Sequence, residues 1–159
     1  GTLRDLLLDR QVFWIADQTY LTCGIGIAVA TFFWARRRKL SARLFLYPDA
    51  IGLALFSVIG TQVALQWHTP WLVASLMGVI TGVFGGVLRD VFCNQVPLVF
   101  MTGELYATAA WLGALLLIGL QLLGVDAAVS AWIAMGAIFT LRAAAIRFQI
   151  KLPTFSAGR

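Results

Sequence analysis

Charge is the scarcest property of this sequence. Asp and Glu number 7 and Lys and Arg 12, so 12% of 159 residues are charged, where a soluble chain runs nearer a quarter. The chain holds one His, two Cys and four Pro. It has no HExxH pair, no Ser/His/Asp order, no phosphate loop and no metal-ligand spacing, which argues against an enzyme and against any cofactor. His68 sits in a short polar link and reads as a solvated loop residue. No cleavable signal peptide is visible. The chain opens without a Met and inside a motif, so it reads as a truncated or partly covered polypeptide.

What is abundant is apolar surface. Hydrophobic residues make up 60%, and mean hydropathy is +0.87. A chain this short cannot hide that much apolar surface in a water-soluble core. The apolar runs recur between short polar links, which predicts an all-α, polytopic transmembrane bundle. Residues 1–153 read as one transmembrane domain and 154–159 as a tail. Residues 1–8 look like the end of a span. Further spans are expected at about 19–35, 50–67, 71–92, 104–123 and 127–149, with Pro48 and Asp49 opening the second of these.

The net charge of +5 is not spread as a nucleic-acid stripe, and no nucleic acid is expected as a partner. Basic residues cluster at Arg36, Arg37, Arg38, Lys39 and Arg43, and again at Arg142, Arg147, Lys151 and Arg159. Both clusters border spans, as cytoplasmic ends do. With 36–43 placed inside, the links at 68–70 and 124–126 fall outside and carry no Lys or Arg. The C-terminus then lies in the cytoplasm, and anionic lipids are expected near Arg36, Arg37, Arg38 and Lys39. Cys23 and Cys93 fall near opposite membrane faces and cannot pair within one protomer. Arg142 lies within snorkelling reach of the inner face, and Glu104 opens its helix.

The densest cluster of unusual residues is GVITGVFGGVLRDVFCNQVP, residues 78–97. Gly78, Gly82, Gly85 and Gly86 either form a packing seam for a neighbouring helix or break the helix at Gly85–Gly86. A break would leave backbone carbonyls free to replace water around a cation. Arg89 and Asp90 are costly in lipid and need a partner, water or a substrate. Arg89 is either an interfacial anchor, a gate sensitive to membrane potential, or a clamp for a substrate carboxylate. Asp49 is either an N-terminal helix charge or the partner of an Arg on a neighbouring helix.

Sliding the chain by 85 residues sets Gly1, Leu3, Arg4 and Asp5 on Gly86, Leu88, Arg89 and Asp90. Tyr20 and Tyr106 then stand near the start of the following spans. The repeat unit is three spans, an odd number, so successive copies insert with opposite polarity. Inverted repeats with a glycine-broken helix in each half point to a binding or conduction site at their interface.

These residues carry a resemblance. GVITGVFGGVLRD, Pro97 and GELYATAA at 103–110, with the Asp49, Gly52, Phe56, Gly60 spacing, resemble the bacterial inner-membrane glycine-transporter-domain family. That family is related to the trimeric intracellular cation (TRIC) channels. The likeness runs from Gly1 to about Pro153. It implies two inverted three-helix repeats plus a C-terminal helix, with the first span and most of the second absent here. It also implies a homotrimer with one pore per protomer, conducting potassium or another monovalent cation; the glycine-transporter label implies glycine or small amino-acid movement instead. A structural membrane partner that conducts nothing is the remaining alternative. The pore or substrate residues implied are Gly1, Arg4, Asp5, Gly82, Gly85, Gly86, Arg89 and Asp90. Asp49, Gly52, Phe56 and Pro97 are helix-start or gating candidates. The lysine-bearing signature of the eukaryotic channels is not evident, so their lipid gating is not expected.

Overall fold

The computed structural model describes residues 1–37, 46–101 and 105–150. Every regular element in them is helical. In chain order these are α1 (Thr2–Leu7), α2 (Phe13–Ala16), α3 (Thr19–Arg37), α4 (Leu46–Gln66), α5 (Trp71–Phe92), a 3-10 turn (Leu98–Phe100), α6 (Ala107–Leu122) and α7 (Ala127–Phe148). The α5 bounds coincide with the expected span, and the others agree within a few residues. Arg38, Lys39, Arg43, Glu104 and the 151–159 tail lie outside the described residues.

α4, α5 and α7 are long and apolar enough to cross a bilayer. At 21 or 22 residues each, they span about 30 Å at 1.5 Å per residue. α6 is shorter, and so is the apolar run of α3, Thr19–Trp34. α4, α5, α6 and α7 form the packed bundle. Its core comprises Leu53, Ala54, Val58, Val83, Tyr106, Ala110, Leu117, Ala131, Ala134 and Ile138. Four of these ten are alanines, because association inside lipid relies on close contact between helices rather than on expelling water. α3 is different: it packs on α2, and each residue from Thr19 to Trp34 is exposed.

Gly85 and Gly86 do not break the helix. α5 runs uninterrupted from Trp71 to Phe92, so the expected glycine-broken helix is corrected here. Its glycines act at the packing level instead. A Cβ on Gly78 would collide with Thr61 Oγ1 and come within 2.7 Å of the Ser57 carbonyl. A Cβ on Gly82 would collide with Ser57 Oγ, and one on Gly86 would come within 2.5 Å of the Tyr106 hydroxyl. Reciprocally, a Cβ on Gly60 of α4 would lie 3.0 Å from Gly78 Cα. Glycine is required along this face because the two backbones touch. Gly85 points the other way, with nothing within 4 Å of its would-be Cβ.

The repeat is legible atom by atom. α1 ends with a bond from Arg10 N–H to the Asp5 carbonyl, 2.9 Å, and with Asp9 at φ 49°. Eighty-five residues on, Gln95 N–H reaches the Asp90 carbonyl at 2.8 Å, with Asn94 at φ 53°. This is a left-handed helix cap, and Asp and Asn are among the few residues besides Gly that tolerate it. The chain then turns back into a short helical element in each copy, α2 in one and the 3-10 turn in the other.

Candidate functional site

Each Arg–Asp pair is a clasp. Asp90 stands in the last turn of α5, and one of its carboxylate oxygens accepts from Arg89 Nε at 2.8 Å while the other accepts from Leu98 N–H at 3.1 Å. Asp5 repeats the pattern, accepting from Arg4 Nε at 2.8 Å and from Phe13 N–H at 3.1 Å. Leu98 and Phe13 are the first residues of the turns that follow. A free N–H at a helix start needs an acceptor, and a carboxylate supplies one with charge assistance. The aspartates therefore hold the returning chain against the helix end, and the arginines neutralise them where water is scarce. Asp5 is 0% exposed, so its clasp is a buried one.

The two clasps lie at opposite ends of α4. Arg10, whose Nε stands 3.7 Å from Asp5 Oδ1, places its guanidinium 5.0 Å from the centre of the Trp67 ring, just beyond the C-terminal end of α4. Arg89 instead reaches Asp49, near the N-terminal end of α4, with Nη1 at 2.5 Å from Oδ1. Asp49 thus fills both expected roles, standing in the first turn of α4 and partnering an Arg of a neighbouring helix. Arg89 is turned inward to two carboxylates rather than out to headgroups, although its side chain keeps 39% exposure.

Around this second clasp the structure gathers four helix ends: the start of α4, the end of α5, the start of α6 and the last turns of α7. Tyr106 is buried with its hydroxyl over Gly86, where Asp49 Oδ1 also lies close. Arg142 of α7 stacks its guanidinium over the Tyr106 ring, 5.0 Å to the centre. At 1% exposure it is enclosed by the bundle and does not snorkel to the surface as expected. A guanidinium over a ring face gains from the ring quadrupole, and the gain is larger where water is excluded. A pocket of about 620 Å³ opens beside this cluster, lined in part by Leu46, Tyr47, Leu98, Met101, Arg142 and Arg147.

The structure therefore brings together Asp49, Gly86, Arg89 and Asp90, with Gly82 one turn below and Pro97 starting the 3-10 turn. It does not bring Gly85, which faces away, nor Phe56, which is 49% exposed. Gly52 has only its own neighbour Phe56 near its would-be Cβ. Gly1, Arg4 and Asp5 belong to the other clasp. Sequence reasoning missed Tyr106, Ser57 and Thr61 as site neighbours. The signal was present: Asp49, Leu53, Ser57 and Thr61 recur every four residues, and so do Gly78, Gly82 and Gly86.

Comparison with known proteins agrees with this fold. Residues 46–122 match the family described as Glycine transporter. The UPF0126 inner membrane protein YadS of Escherichia coli is 37% identical over 159 residues, which cover 98% of this chain and 76% of that protein. A UPF0126 membrane protein of Vibrio cholerae is 37% identical over 158 residues, 98% of this chain and 66% of that one. Among solved structures, the TRIC trimeric intracellular cation channel orthologue from Rhodobacter sphaeroides superposes with a TM-score of 0.88 at 39% identity. That match covers 94% of this chain and 77% of that one. A second TRIC cation channel, solved to explain conductance, matches with a TM-score of 0.86 at 28% identity, covering 100% of this chain and 78% of that one.

Proposed function

Since the chain belongs to the glycine-transporter-domain family of bacterial inner-membrane proteins, we propose that it conducts small monovalent cations, potassium foremost, through one path per protomer of a homotrimer. The observation that carries this reading is the pair of matching Arg–Asp clasps at opposite ends of α4, in a fold superposable on TRIC channels. Repeats inserted with opposite polarity are how many transport proteins build a polar route through lipid. At the Asp49 end, two carboxylates flank one Arg89 guanidinium. Arg89 is thereby held by its partners, so it does not stand as a bare repulsive charge in a cation path.

In this reading the Asp49–Arg89 end is cytoplasmic, together with the C-terminus, because the links on that side carry the basic residues. Arg36 is exposed at the end of α3, where anionic headgroups would meet it. Carriage of glycine or another small amino acid is the second reading. It draws on the family description for residues 46–122 and on Arg89 as a ligand for a substrate carboxylate.

Single-channel recording of the full-length protein in planar bilayers separates these readings. Unitary potassium currents support the channel. Saturable glycine uptake without unitary currents supports the carrier. Neither would point to a structural membrane partner.

A further inference from the structure

α7 carries one charge where its pattern calls for none. Ala131, Ala134, Ile138 and Ala145 lie on its buried face, and Arg142 continues that face at 1% exposure. Opposite, Tyr106, Ala110, Gly113 and Leu117 form the buried face of α6 and its first turn. A Cβ on Gly113 would collide with Ile138, so the two backbones are close at that level. One turn on from Ile138, and two turns back from Gly113, the same faces present Arg142 and Tyr106.

Arg147, in the last turn, sits where an arginine suits a helix end. Arg142 lies more than a turn deeper. Enclosing a guanidinium is costly, and a leucine or methionine would fill the same volume without that cost. A charge kept inside a membrane bundle points to a task and a partner.

The Tyr106 ring lies 5.0 Å from the Arg142 guanidinium carbon. Its hydroxyl shares the space over Gly86 with Asp49 Oδ1 and interacts with the Asp49 carboxylate. Asp49 Oδ2 is buried without a hydrogen-bond partner, so this carboxylate is held through Oδ1. Arg89 meets that oxygen and also bonds Asp90, whose other oxygen accepts the Leu98 N–H. A line of contacts thus runs from α7 through α6 to the clasp at the end of α5. The Asp5 clasp has no such line. Its matching tyrosine, Tyr20, is 59% exposed and meets Phe13 edge-on at 5.1 Å, with no guanidinium stacked on it among the described residues.

We infer that Arg142 is a positioning residue for the Asp90 clasp: it fixes the Tyr106 ring, and through the Tyr106 hydroxyl it sets the Asp49 carboxylate against Arg89. The helix that follows the second repeat thereby governs one of two matching clasps, and the two ends of α4 answer to different elements. The inference goes beyond the transport reading and is the same for a cation or an amino acid, since it concerns only how the clasp is held.

Hydrogen exchange on the full-length protein in nanodiscs tests it, and the repeat supplies an internal control. The Leu98 amide reports the Asp90 clasp and the Phe13 amide the Asp5 clasp, each protected while its carboxylate accepts it. Arg142→Met is expected to speed exchange at Leu98 by roughly tenfold or more, the scale of a desolvated cation–π contact, and to leave Phe13 unchanged. Tyr106→Phe keeps the stacked ring and removes the hydroxyl. It is expected to speed Leu98 likewise, and adding Arg142→Met to it should bring little more. Arg142→Lys keeps the charge and should restore part of the protection. Faster exchange at both amides in Arg142→Met would mark a general loss of stability and overturn the inference, as would no change at Leu98. Full addition of the two effects would also overturn it. So would a Leu98 response to Arg142→Met that Tyr106→Phe fails to reproduce, which would place the effect in the pocket that Arg142 and Leu98 both line. Should Arg142→Met not fold, Arg142→Lys takes its place: a rise confined to Leu98 in both Arg142→Lys and Tyr106→Phe supports the inference, and any other result overturns it. Absence of potassium flux in the unmodified protein would remove the channel reading and leave this inference standing.

Discussion

Gly78→Ala and Gly85→Ala make the same chemical change on one helix, two turns apart, and should have opposite effects. At Gly78 the new methyl would lie 2.7 Å from the Ser57 carbonyl and would collide with Thr61 Oγ1. Carbon and carbonyl oxygen settle no closer than about 3.3 Å, so α4 must retreat by about 0.6 Å. Overpacking of this kind costs about 1–3 kcal/mol. Displacing the Thr61 hydroxyl from its bond to Ser57 adds about 1 kcal/mol. The sum corresponds to a fall in Tm of roughly 5–15 °C for a chain of this length. At Gly85 nothing lies within 4 Å, so alanine contributes only its helix preference, about 0.5–1 kcal/mol of stabilisation. Thermal unfolding of the purified protein in detergent, read by intrinsic Trp fluorescence, measures both. If Gly85→Ala lowers Tm as far as Gly78→Ala, the packing account of this face is wrong. If it abolishes transport while Tm holds, a hinge at Gly85 is back in play.

Other expectations follow from the clasps and caps. Asp90→Ala removes one of the two carboxylates that hold Arg89 and leaves the Leu98 N–H without its acceptor, and should destabilise by about 1–3 kcal/mol, the cost of an unsatisfied buried donor; chemical denaturation in micelles measures it. Arg89→Lys replaces a fork that reaches Asp49 and Asp90 together by a single ammonium, and should lose about 1–2 kcal/mol, most of it absent in an Asp49→Asn background. Asp126 caps α7 by accepting from Ala128 and Val129 N–H groups at 2.9 and 3.2 Å, so Asp126→Ala should cost about 1 kcal/mol by the same assay. Asp17, outside the spans, has its pKa lowered chiefly by its hydrogen bond with Thr19. Its contribution is therefore present above the ordinary Asp value of 3.8 and fades as pH falls through the depressed folded value. An acid titration of stability should lose that component in Asp17→Ala.

Much of this protein was legible before any coordinates. Long apolar runs in lipid have one way to satisfy their backbone groups, so class and span positions followed from composition and periodicity. The 85-residue repeat could be read because a left-handed cap after Asp5 and Asp90, and an acceptor for the next turn's N–H, each demand particular residues at fixed spacing. Tertiary structure decided what those residues touch. Gly85–Gly86 looked like a weak point because glycine permits a break, yet α5 is continuous there, with Tyr106 and Asp49 set against Gly86. Likewise, only the antiparallel register of α4 against α5 sets Ser57 over Gly82 and Asp49 against Arg89, 40 residues apart in the chain. Local sequence carries the preferences of each helix; which oxygens meet which glycines belongs to the crossing of two helices, and no single stretch encodes it.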